Sequence, residues 1–267
     1  MTIECELGFQ FDRRYKRKFE LEGLIEKRNI GIGIGMKQTY FLERIANIFP
    51  SKIVKKLEKI FEFQMVLEDT QRFVEIEKNI KRNKVILNGY WQSHLYFKEY
   101  EKIVVDEITS WLTMEKSKIR LNSILSQPDE ESVAIGVRTY SESKDPDFHA
   151  RDRLTKSLSD WQTAINVLKD KIDNPVFYLY TIDKEKVLEN LEFGSSKVIF
   201  VDQQNIESSK ARLLSFASCT HHIFNNSSFY WWGAYLSPHL FPSRKKLVYA
   251  SNNFLNVNSH PQIWHSF

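Results

Sequence analysis

Strand-like and helix-like segments alternate over residues 132–240, and this alternation constrains the fold more than any other feature of the chain. Each strand candidate is a short apolar run that ends at polar residues, and each helix candidate has an apolar face with the helical period. Such alternation favours a parallel, doubly wound sheet. The segments are strands at 132–140, 175–183, 196–204 and 221–228, and helices at 158–172, 184–193, 208–220 and 229–237.

Polar residues stand at the carboxyl ends of these strands, where doubly wound sheets bind their ligands. They are Arg138, Asp183, Asp202 and the turn Asn226–Ser228. The turn opens the helix that carries Trp231 and Trp232, so its hydroxyls and backbone N–H groups are placed to face an anion. Ser and Asn before a helix are also ordinary caps, and tryptophans are ordinary core residues. The pattern alone leaves both interpretations open.

The first part of the chain is predicted to contain a helix over residues 39–76, with Ile53, Val54, Leu57, Ile60 and Phe61 on one apolar face. Four lysines, at 52, 55, 56 and 59, line much of the remaining surface. They indicate either a solvated helix face or a patch that contacts anionic lipid. After residue 84, KVILNGYWQSHLYF predicts a short strand and an aromatic turn, followed by a helix over 97–114.

Composition excludes several classes of protein. Lys and Arg number 38 against 34 acids, a net charge of +4, which is not the basic excess of a nucleic-acid-binding protein. The two cysteines, Cys5 and Cys219, are far apart and form no disulfide or zinc pattern, which favours a reducing compartment. The amino terminus lacks the apolar run of a signal peptide, and no stretch approaches the length of a membrane span. We therefore expect a cytoplasmic location.

Three stretches together resemble the α-1,2-fucosyltransferases, glycosyltransferase family 11. Family members carry a segment like N-S-T-F-S-W-W-G-A-W-L, which here reads NSSFYWWGAYL from residue 226 to 236. The family's G-Y-W-Q-S-E-K-Y-F is similar to GYWQSHLYF at 89–97, and its N-P-x-F-x-x-F-S-D-D to NPVFYLYTID at 174–183. The tryptophan motif is the most specific of the three.

The resemblance implies a GT-B-like α/β fold with two Rossmann-like domains built on parallel sheets. Residues 1–119 would form an acceptor-side domain and residues 120–267 the nucleotide-sugar-binding domain. The family's G-G-L-G-N-Q-M-F-Q loop has no counterpart here, so the amino-terminal domain is expected to be incomplete and the chain shortened. The implied activity is transfer of fucose from GDP-fucose, with inversion, to a galactose-containing glycan in surface polysaccharide assembly.

The family's H-x-R-R-x-D motif is eroded in this chain. It aligns with the strand SVAIGVRTYSES, where Gly136 replaces the His, Thr139 the second Arg and Ser141 the Asp, and only Arg138 matches. This departure leaves two alternatives open, a transferase that uses another GDP-sugar and an inactive remnant that binds nucleotide or glycan.

The site residues follow from the resemblance and from the chemistry of a departing diphosphate. Arg138 is the candidate for catalysis and for the phosphates, because its fork meets two oxygens at once. Asp183 is the candidate for the guanine donors, and Asn226, Ser227 and Ser228 for further donor contacts. Glu142 and His149 are candidates for the base that activates the acceptor hydroxyl. A structural ion pair for Arg138 and a helix cap for Asp183 are the structural alternatives.

The expected ligands are a GDP-sugar and an oligosaccharide acceptor, without nucleic acid. No metal is expected, since positive protein groups would stabilise the diphosphate. The pair His221–His222 is not a metal site in this interpretation, because neighbours on a strand face opposite ways. Peripheral contact with the inner face of the cell membrane is the accompanying expectation for location.

Overall fold

The computed structural model describes residues 50–69, 71–76, 80–82, 85–113, 131–141, 156–202, 206, 208–242 and 245–267. The chain divides into two compact units. The first comprises Met1–Lys98 with Leu255–Ser259, and the second comprises Glu99–Phe254 with His260–Phe267. The domain boundary predicted at residue 119 lies outside the described residues.

Within the described residues of the first unit there are a helix and a small parallel sheet. Helix α1 (Ser51–Ile60) precedes strand β1 (Gln64–Leu67), which pairs with strand β2 (Val85–Asn88). The prediction of one helix as far as residue 76 is wrong from residue 61 onward. Residues 64–67 pair with a strand about twenty residues later, a partnership that local periodicity does not reveal.

The aromatic turn after β2 is organised by Glu68. The Glu68 carboxylate accepts hydrogen bonds from the backbone N–H groups of Tyr90, at 2.5 Å, and Gln92, at 3.1 Å. A Cβ at Gly89 would lie 2.2 Å from the Cβ of Glu68, so the strand end approaches closely only because residue 89 is glycine. Two short 3₁₀ turns follow, His94–Tyr96 and Lys98–Tyr100.

The second unit is a mixed α/β domain whose six strands are all parallel. The helices among its described residues are α2 (Glu101–Thr113), α3 (Leu158–Lys169), α4 (Lys184–Asn190), α5 (Ser209–Ser218) and α6 (Ser228–Leu240). Its strands are β3 (Ser132–Gly136), β4 (Val176–Tyr180), β5 (Val198–Phe200), β6 (His221–Phe224), β7 (Val248–Ala250) and β8 (His265–Ser266). The predicted alternation and the parallel sheet are confirmed. The N-cap of α3 is Ser157, whose hydroxyl accepts from the backbone N–H of Asp160.

The order of strands locates the ligand-binding edge of the second unit. The sheet runs β5-β4-β3-β6-β7-β8. Numbered from β3, this is the order 3-2-1-4-5-6 of Rossmann-type sheets. The order reverses between β3 and β6, and ligands of open α/β sheets bind outside the carboxyl ends of the strands at such a reversal. The residues that follow β3 and β6 are therefore the first place to look for a site.

Helices cover both faces of this sheet. One face buries Ile135 and Leu179 against Trp161 and Leu168 of α3. On the other face, the Tyr180 ring packs on Phe216 of α5 at 5.0 Å, and Phe216 stacks on Tyr230 of α6 at 4.8 Å. Successive side chains of a strand thus pack alternately into the apolar layers on the two faces of the sheet, as in other doubly wound sheets.

The two adjacent tryptophans of α6 differ in burial. Trp231 is buried and stacks on Tyr235 at 4.7 Å, while Trp232 is half-buried. Gly233 brings α6 close to α5, because a Cβ there would lie 2.6 Å from the Phe216 ring. The Tyr235 hydroxyl donates to the Glu101 carboxylate at 2.5 Å, and burial together with this bond raises the pKa of Tyr235. The motif therefore ties α6 to both α5 and α2.

His222 is a neutral histidine within this core. It is fully buried, and its Nε2 lies 3.0 Å from the carbonyl oxygen of Phe216, an arrangement in which Nε2 carries the proton. Its Nδ1 has no hydrogen-bond partner among the described residues. Burial, with a smaller effect from the nearby Lys246, lowers the pKa of His222 to about 3.

His222 should make the fold sensitive to acid. Between pH 6.5 and about 3 the unfolded chain binds a proton at this residue that the folded chain does not bind, so stability falls as pH decreases through that range. In the His222→Gln variant, the amide keeps a donor for the Phe216 carbonyl and removes the titration. We expect the stability of the native chain to fall relative to this variant by about 1 kcal/mol per pH unit below 6.5.

Urea unfolding at several pH values measures this difference. His239→Gln, at an exposed position, controls for the removal of a histidine. Parallel pH profiles for the native chain and His222→Gln would contradict a neutral buried imidazole.

Candidate functional site

The candidate site is built around residues 137–141, which we call the strand-end loop. The loop leaves β3 at the reversal point of the sheet, where β6 lies on one side of β3 and β4 on the other. Its first residue continues the ladder, since the Val137 N–H donates to the Tyr180 carbonyl at 2.9 Å. Beyond Val137 the backbone leaves the sheet and requires other partners.

Asn225 supplies those partners. Its side-chain oxygen accepts from the backbone N–H of Arg138 at 2.9 Å, and its side-chain nitrogen donates to the Arg138 carbonyl at 2.7 Å. Asn225 is 1% exposed, so both bonds are shielded from water. The amide thus holds the backbone of Arg138 beside the end of β6 and leaves the guanidinium to be placed by other contacts.

Tyr140 gives the strand-end loop its shape. Its φ is 58°, a left-handed conformation that is rare for a bulky side chain and that persists only where the surroundings impose it. The Tyr140 hydroxyl donates to the Asn226 carbonyl at 2.7 Å, and the Arg138 guanidinium lies 4.6 Å from the centre of the Tyr140 ring. The buried phenol thus supports a half-buried arginine at the edge of the sheet.

Asp183 is held from the opposite side of the loop. The hydroxyls of Thr139 and Ser141 both donate to one oxygen of its carboxylate, that of Ser141 at 2.7 Å. Asp183 stands at the N-cap position of α4, yet its side chain makes no capping hydrogen bond. The structural alternative raised for Asp183, a helix cap, is therefore not what this carboxylate does. It is a half-buried acid fixed beside the strand-end loop.

The turn Asn226–Ser228 separates into buried and exposed members. Ser227 is the N-cap of α6, with its hydroxyl accepting from the Tyr230 N–H at 3.5 Å, and it is buried. Asn226 is buried and donates to the Asn253 carbonyl at 3.4 Å. Ser228 is exposed at the first turn of α6. The hydroxyl that is open to a ligand in this turn is that of Ser228.

Gly136 leaves space that Tyr230 fills. A Cβ built on Gly136 would lie 2.6 Å from two ring carbons of Tyr230, so no larger residue fits there without displacing the phenol. The Tyr230 hydroxyl donates to the Tyr180 carbonyl at 3.2 Å. Gly136 and Tyr230 stand where the family patterns quoted above have His and Ser. Relative to the family patterns, residue 136 has lost its side chain and residue 230 has a larger one, which fills the space beside Gly136.

Two predicted site residues, Glu142 and His149, lie outside the described residues. The structure brings together the others, Arg138 and Asp183 through the strand-end loop and Asn226–Ser228 at the neighbouring strand end. Within the described part of the chain, no three His, Cys, Asp or Glu side chains form a group suited to a metal ion. His221 and His222 serve the core instead, with His221 Nδ1 accepting from the Leu247 N–H at 3.1 Å.

Comparisons with known proteins identify the family. The sequence model of glycosyl transferase family 11 matches residues 62–240, which is two thirds of the chain. The chain belongs to glycosyl transferase family 11. It is also 25% identical, over 242 residues, to an α-1,2-colitosyltransferase from Escherichia coli, an alignment that covers 88% of this chain and 79% of the relative. The predicted family is confirmed, and the chain is accordingly a glycosyltransferase in type.

The matched region contains the whole strand-end loop, Asp183 and the Asn226–Ser228 turn. Sequence reasoning missed three residues of the site, namely Asn225, Tyr140 and Tyr230. Asn225 begins the polar stretch ahead of the tryptophans, but nothing in that stretch shows that its amide bonds to a backbone 87 residues earlier. Thr139 and Ser141 could be noticed in the sequence, since both are hydroxyl residues within three positions of Arg138.

The Gly136–Tyr230 contact can be tested by a double-mutant cycle. Gly136→Ala should destabilise the fold by about 1–3 kcal/mol, because its methyl group overlaps the Tyr230 ring. Tyr230→Ser removes that ring, so the double variant should be less destabilised than the sum of the two single changes. The expected coupling is about 0.5–3 kcal/mol in urea unfolding.

Tyr230→Phe is the matched control for this cycle, because it keeps the ring and should give no relief to Gly136→Ala. Additive effects in the Gly136→Ala, Tyr230→Ser cycle would show that the two positions are not in contact.

Proposed function

We propose that this protein transfers fucose from GDP-fucose, with inversion, to a galactose-containing glycan during the assembly of a surface polysaccharide. Family membership supports a glycosyltransferase that uses a GDP-sugar. The observation that carries the donor part of the proposal is the convergence of Arg138 and Asp183 on one loop at the reversal point of the sheet. The two-domain GT-B organisation implied by the family resemblance is part of the same proposal.

Arg138 would stabilise the leaving diphosphate. As the glycosidic bond of the donor breaks, negative charge collects on the phosphate oxygens, and a preorganised cation lowers the energy of that transition state. A guanidinium donates to two oxygens at once, which an ammonium group does not do in a fixed geometry. The bonds from Asn225 and the Tyr140 ring hold this arginine before the donor arrives, so little ordering is required at the moment of reaction.

Ser228 would add to this anion site. It is exposed at the amino end of α6, a thirteen-residue helix, where backbone N–H groups and the helix dipole favour negative charge. In this proposal Asn226 and Ser227 act by shaping the turn, because both are buried. Arginine and a helix terminus together would take the place of a divalent cation, so the reaction is proposed to be independent of metal.

Asp183 would face the nucleoside. It follows β4, the second strand in the order of the sheet, and Rossmann-type domains hold an acid for the nucleoside at the end of that strand. Guanine presents N–H donors along one edge. One Asp183 oxygen already accepts from the two hydroxyls of the strand-end loop, so the other oxygen is the one left to accept from guanine. The carboxylate is therefore oriented before the base binds.

A base for the acceptor hydroxyl is proposed among the residues that follow the strand-end loop. Glu142 and His149 remain the candidates, on the sequence argument that an inverting transfer needs a group to accept the hydroxyl proton. The variants Glu142→Gln and His149→Gln, each of similar size to the native residue, distinguish the two candidates. The variant that lacks the base should have a lower kcat and an unchanged affinity for GDP.

GDP-colitose is the second candidate donor. The relative from Escherichia coli is named for the transfer of colitose, a sugar that differs from fucose by the absence of the 3-hydroxyl group. Both donors would present the same diphosphate to Arg138. The choice between the two donors would depend on whether a polar group of the site pairs with the 3-hydroxyl. If it does, binding of GDP-colitose would leave that group unpaired, which is costly.

The nucleotide half of the proposal can be tested by thermal unfolding. GDP should stabilise the protein and UDP should not. At about 100 times its dissociation constant, a ligand bound only by the folded state adds roughly 2.7 kcal/mol to the free energy of unfolding. Turnover of GDP-fucose and GDP-colitose with a panel of galactose-terminated acceptors then assigns the sugar. Equal stabilisation by GDP and UDP would remove the GDP-sugar proposal.

Arg138→Lys tests the diphosphate role. The charge is kept and the fork is lost, so we expect kcat/KM to fall roughly thirty- to a thousandfold, equivalent to about 2–4 kcal/mol of transition-state stabilisation. The melting temperature should change little, because Asn225 bonds to the backbone of residue 138 and not to its side chain.

Arg72→Lys is the matched control, since Arg72 is an exposed arginine paired with Asp69 in the first unit and should affect neither quantity. A normal affinity for GDP combined with a collapsed melting temperature in Arg138→Lys would assign Arg138 to the fold and not to the donor.

A further inference from the structure

Helix α1 presents a surface that the proposed transfer reaction does not use. The surface consists of Lys52, Lys55, Lys56 and Lys59 together with Ile53 and Ile60, and we call it the lysine face. The lysines follow the spacing i, i+3, i+4 and i+7, which places them on one side of a helix. Lys56 lies three residues after Ile53 and four before Ile60, so the isoleucines adjoin the lysines.

The exposure of these side chains shows which side of α1 faces solvent. All four lysines are exposed, and Ile53 and Ile60 are 42% and 61% exposed. Phe61, at the end of the helix, is 47% exposed. Val54, Leu57 and Glu58 are less exposed, and they share the opposite side of the helix. A fold usually turns its isoleucines inward, and here two of them lie on the outer side next to the lysines.

The charge of the lysine face is positive. Glu58 is the acid of the ten-residue helix, and its carboxylate accepts from the backbone N–H of Met65 at 2.7 Å, on the side where β1 begins. Among the described contacts, none of the four lysines forms an ion pair. The outward side of α1 is therefore cationic and apolar together.

We propose that the lysine face binds the surface of an anionic lipid bilayer. Lipid headgroups offer negative charge to the lysines, and the upper part of the acyl region accepts the isoleucine side chains. A nucleic acid would satisfy the lysines and leave the isoleucines in water. A second copy of the same face would bring four lysines against four lysines. Among these occupants, the bilayer alone complements both the charge and the apolar groups.

The binding would be peripheral and reversible. No helix among the described residues is both long enough and apolar enough to cross a bilayer. Each lysine near an anionic surface contributes about fivefold to the partition coefficient. Four lysines therefore provide a several-hundredfold preference for anionic over neutral vesicles, and this preference should weaken as salt is added.

Flotation of the full chain with vesicles tests this proposal. The protein should float with phosphatidylcholine vesicles that contain phosphatidylglycerol and remain below vesicles of phosphatidylcholine alone. The variant K52Q/K55Q/K56Q/K59Q should lose most of this binding. The variant I53S/I60S should weaken it at constant charge, because the lysines remain. Melting curves of both variants should match that of the native chain, since the replaced side chains are exposed.

The matched control changes the charge by the same amount elsewhere. The variant K98Q/K186Q/K197Q/K245Q replaces four exposed lysines outside α1 and should bind vesicles like the native chain. Equal loss in this control would overturn the proposal, because net charge and not the lysine face would then govern binding. Equal binding to neutral vesicles would also overturn it. The proposal would also be overturned if I53S/I60S floated like the native chain and duplex DNA displaced the protein fully from the vesicles. That result would indicate a general polyanion site.

Discussion

The two hydrogen bonds between the Asn225 amide and the backbone of Arg138 are the interaction on which the rest of the site depends. A parallel sheet satisfies its own backbone groups only as far as its ladders extend, and the strand-end loop begins where the β3 ladder stops. Asn225 replaces the missing ladder with one donor and one acceptor from a single buried side chain. If that amide were lost, buried polar groups of the loop would have no partner, at a cost of about 1–3 kcal/mol each.

The remaining geometry follows from this attachment. With residue 138 held against β6, the chain turns through the left-handed Tyr140 and directs the hydroxyls of residues 139 and 141 toward Asp183 at the end of β4. One loop is thus bound to both neighbouring strand ends, and a cation and an acid are fixed on either side of it. Strained backbone of this kind is costly and commonly occurs at functional sites. A rigid, charged loop at the reversal point suits a ligand with an anionic half and a hydrogen-bonding half.

The departures from the family pattern form two compensating sets. Glycine at 136 is accompanied by tyrosine at 230, and the phenol occupies the space above the glycine. Threonine and serine at 139 and 141 replace an arginine and an aspartate, and both hydroxyls bind the Asp183 carboxylate. The strand-end loop therefore carries fewer charged side chains than the family pattern, and its hydroxyls are bonded to Asp183. Neither position leaves an unpaired charge beside Asp183, which would be costly.

Much of the second unit could be predicted from the sequence, and the reasons are local. Apolar runs such as residues 176–180 and the helical period of residues 158–169 are visible in the chain itself, and parallel pairing follows from their alternation. The contacts that make the site are not local. Asn225 meets Arg138 across 87 residues, and Asp183 meets Ser141 across 42. Strand β1 escaped prediction for the same reason, since its partner β2 determines its conformation.

A crystal structure of the protein with bound GDP would show directly whether the strand-end loop receives the diphosphate of a GDP-sugar. We expect the phosphate oxygens within hydrogen-bonding distance of the Arg138 guanidinium and of Ser228, with the guanine edge on the side of Asp183. We also expect Asn225 to keep both bonds to residue 138. A diphosphate bound away from the ends of β3 and β6, with the Arg138 guanidinium making no contact to its phosphates, would contradict this expectation.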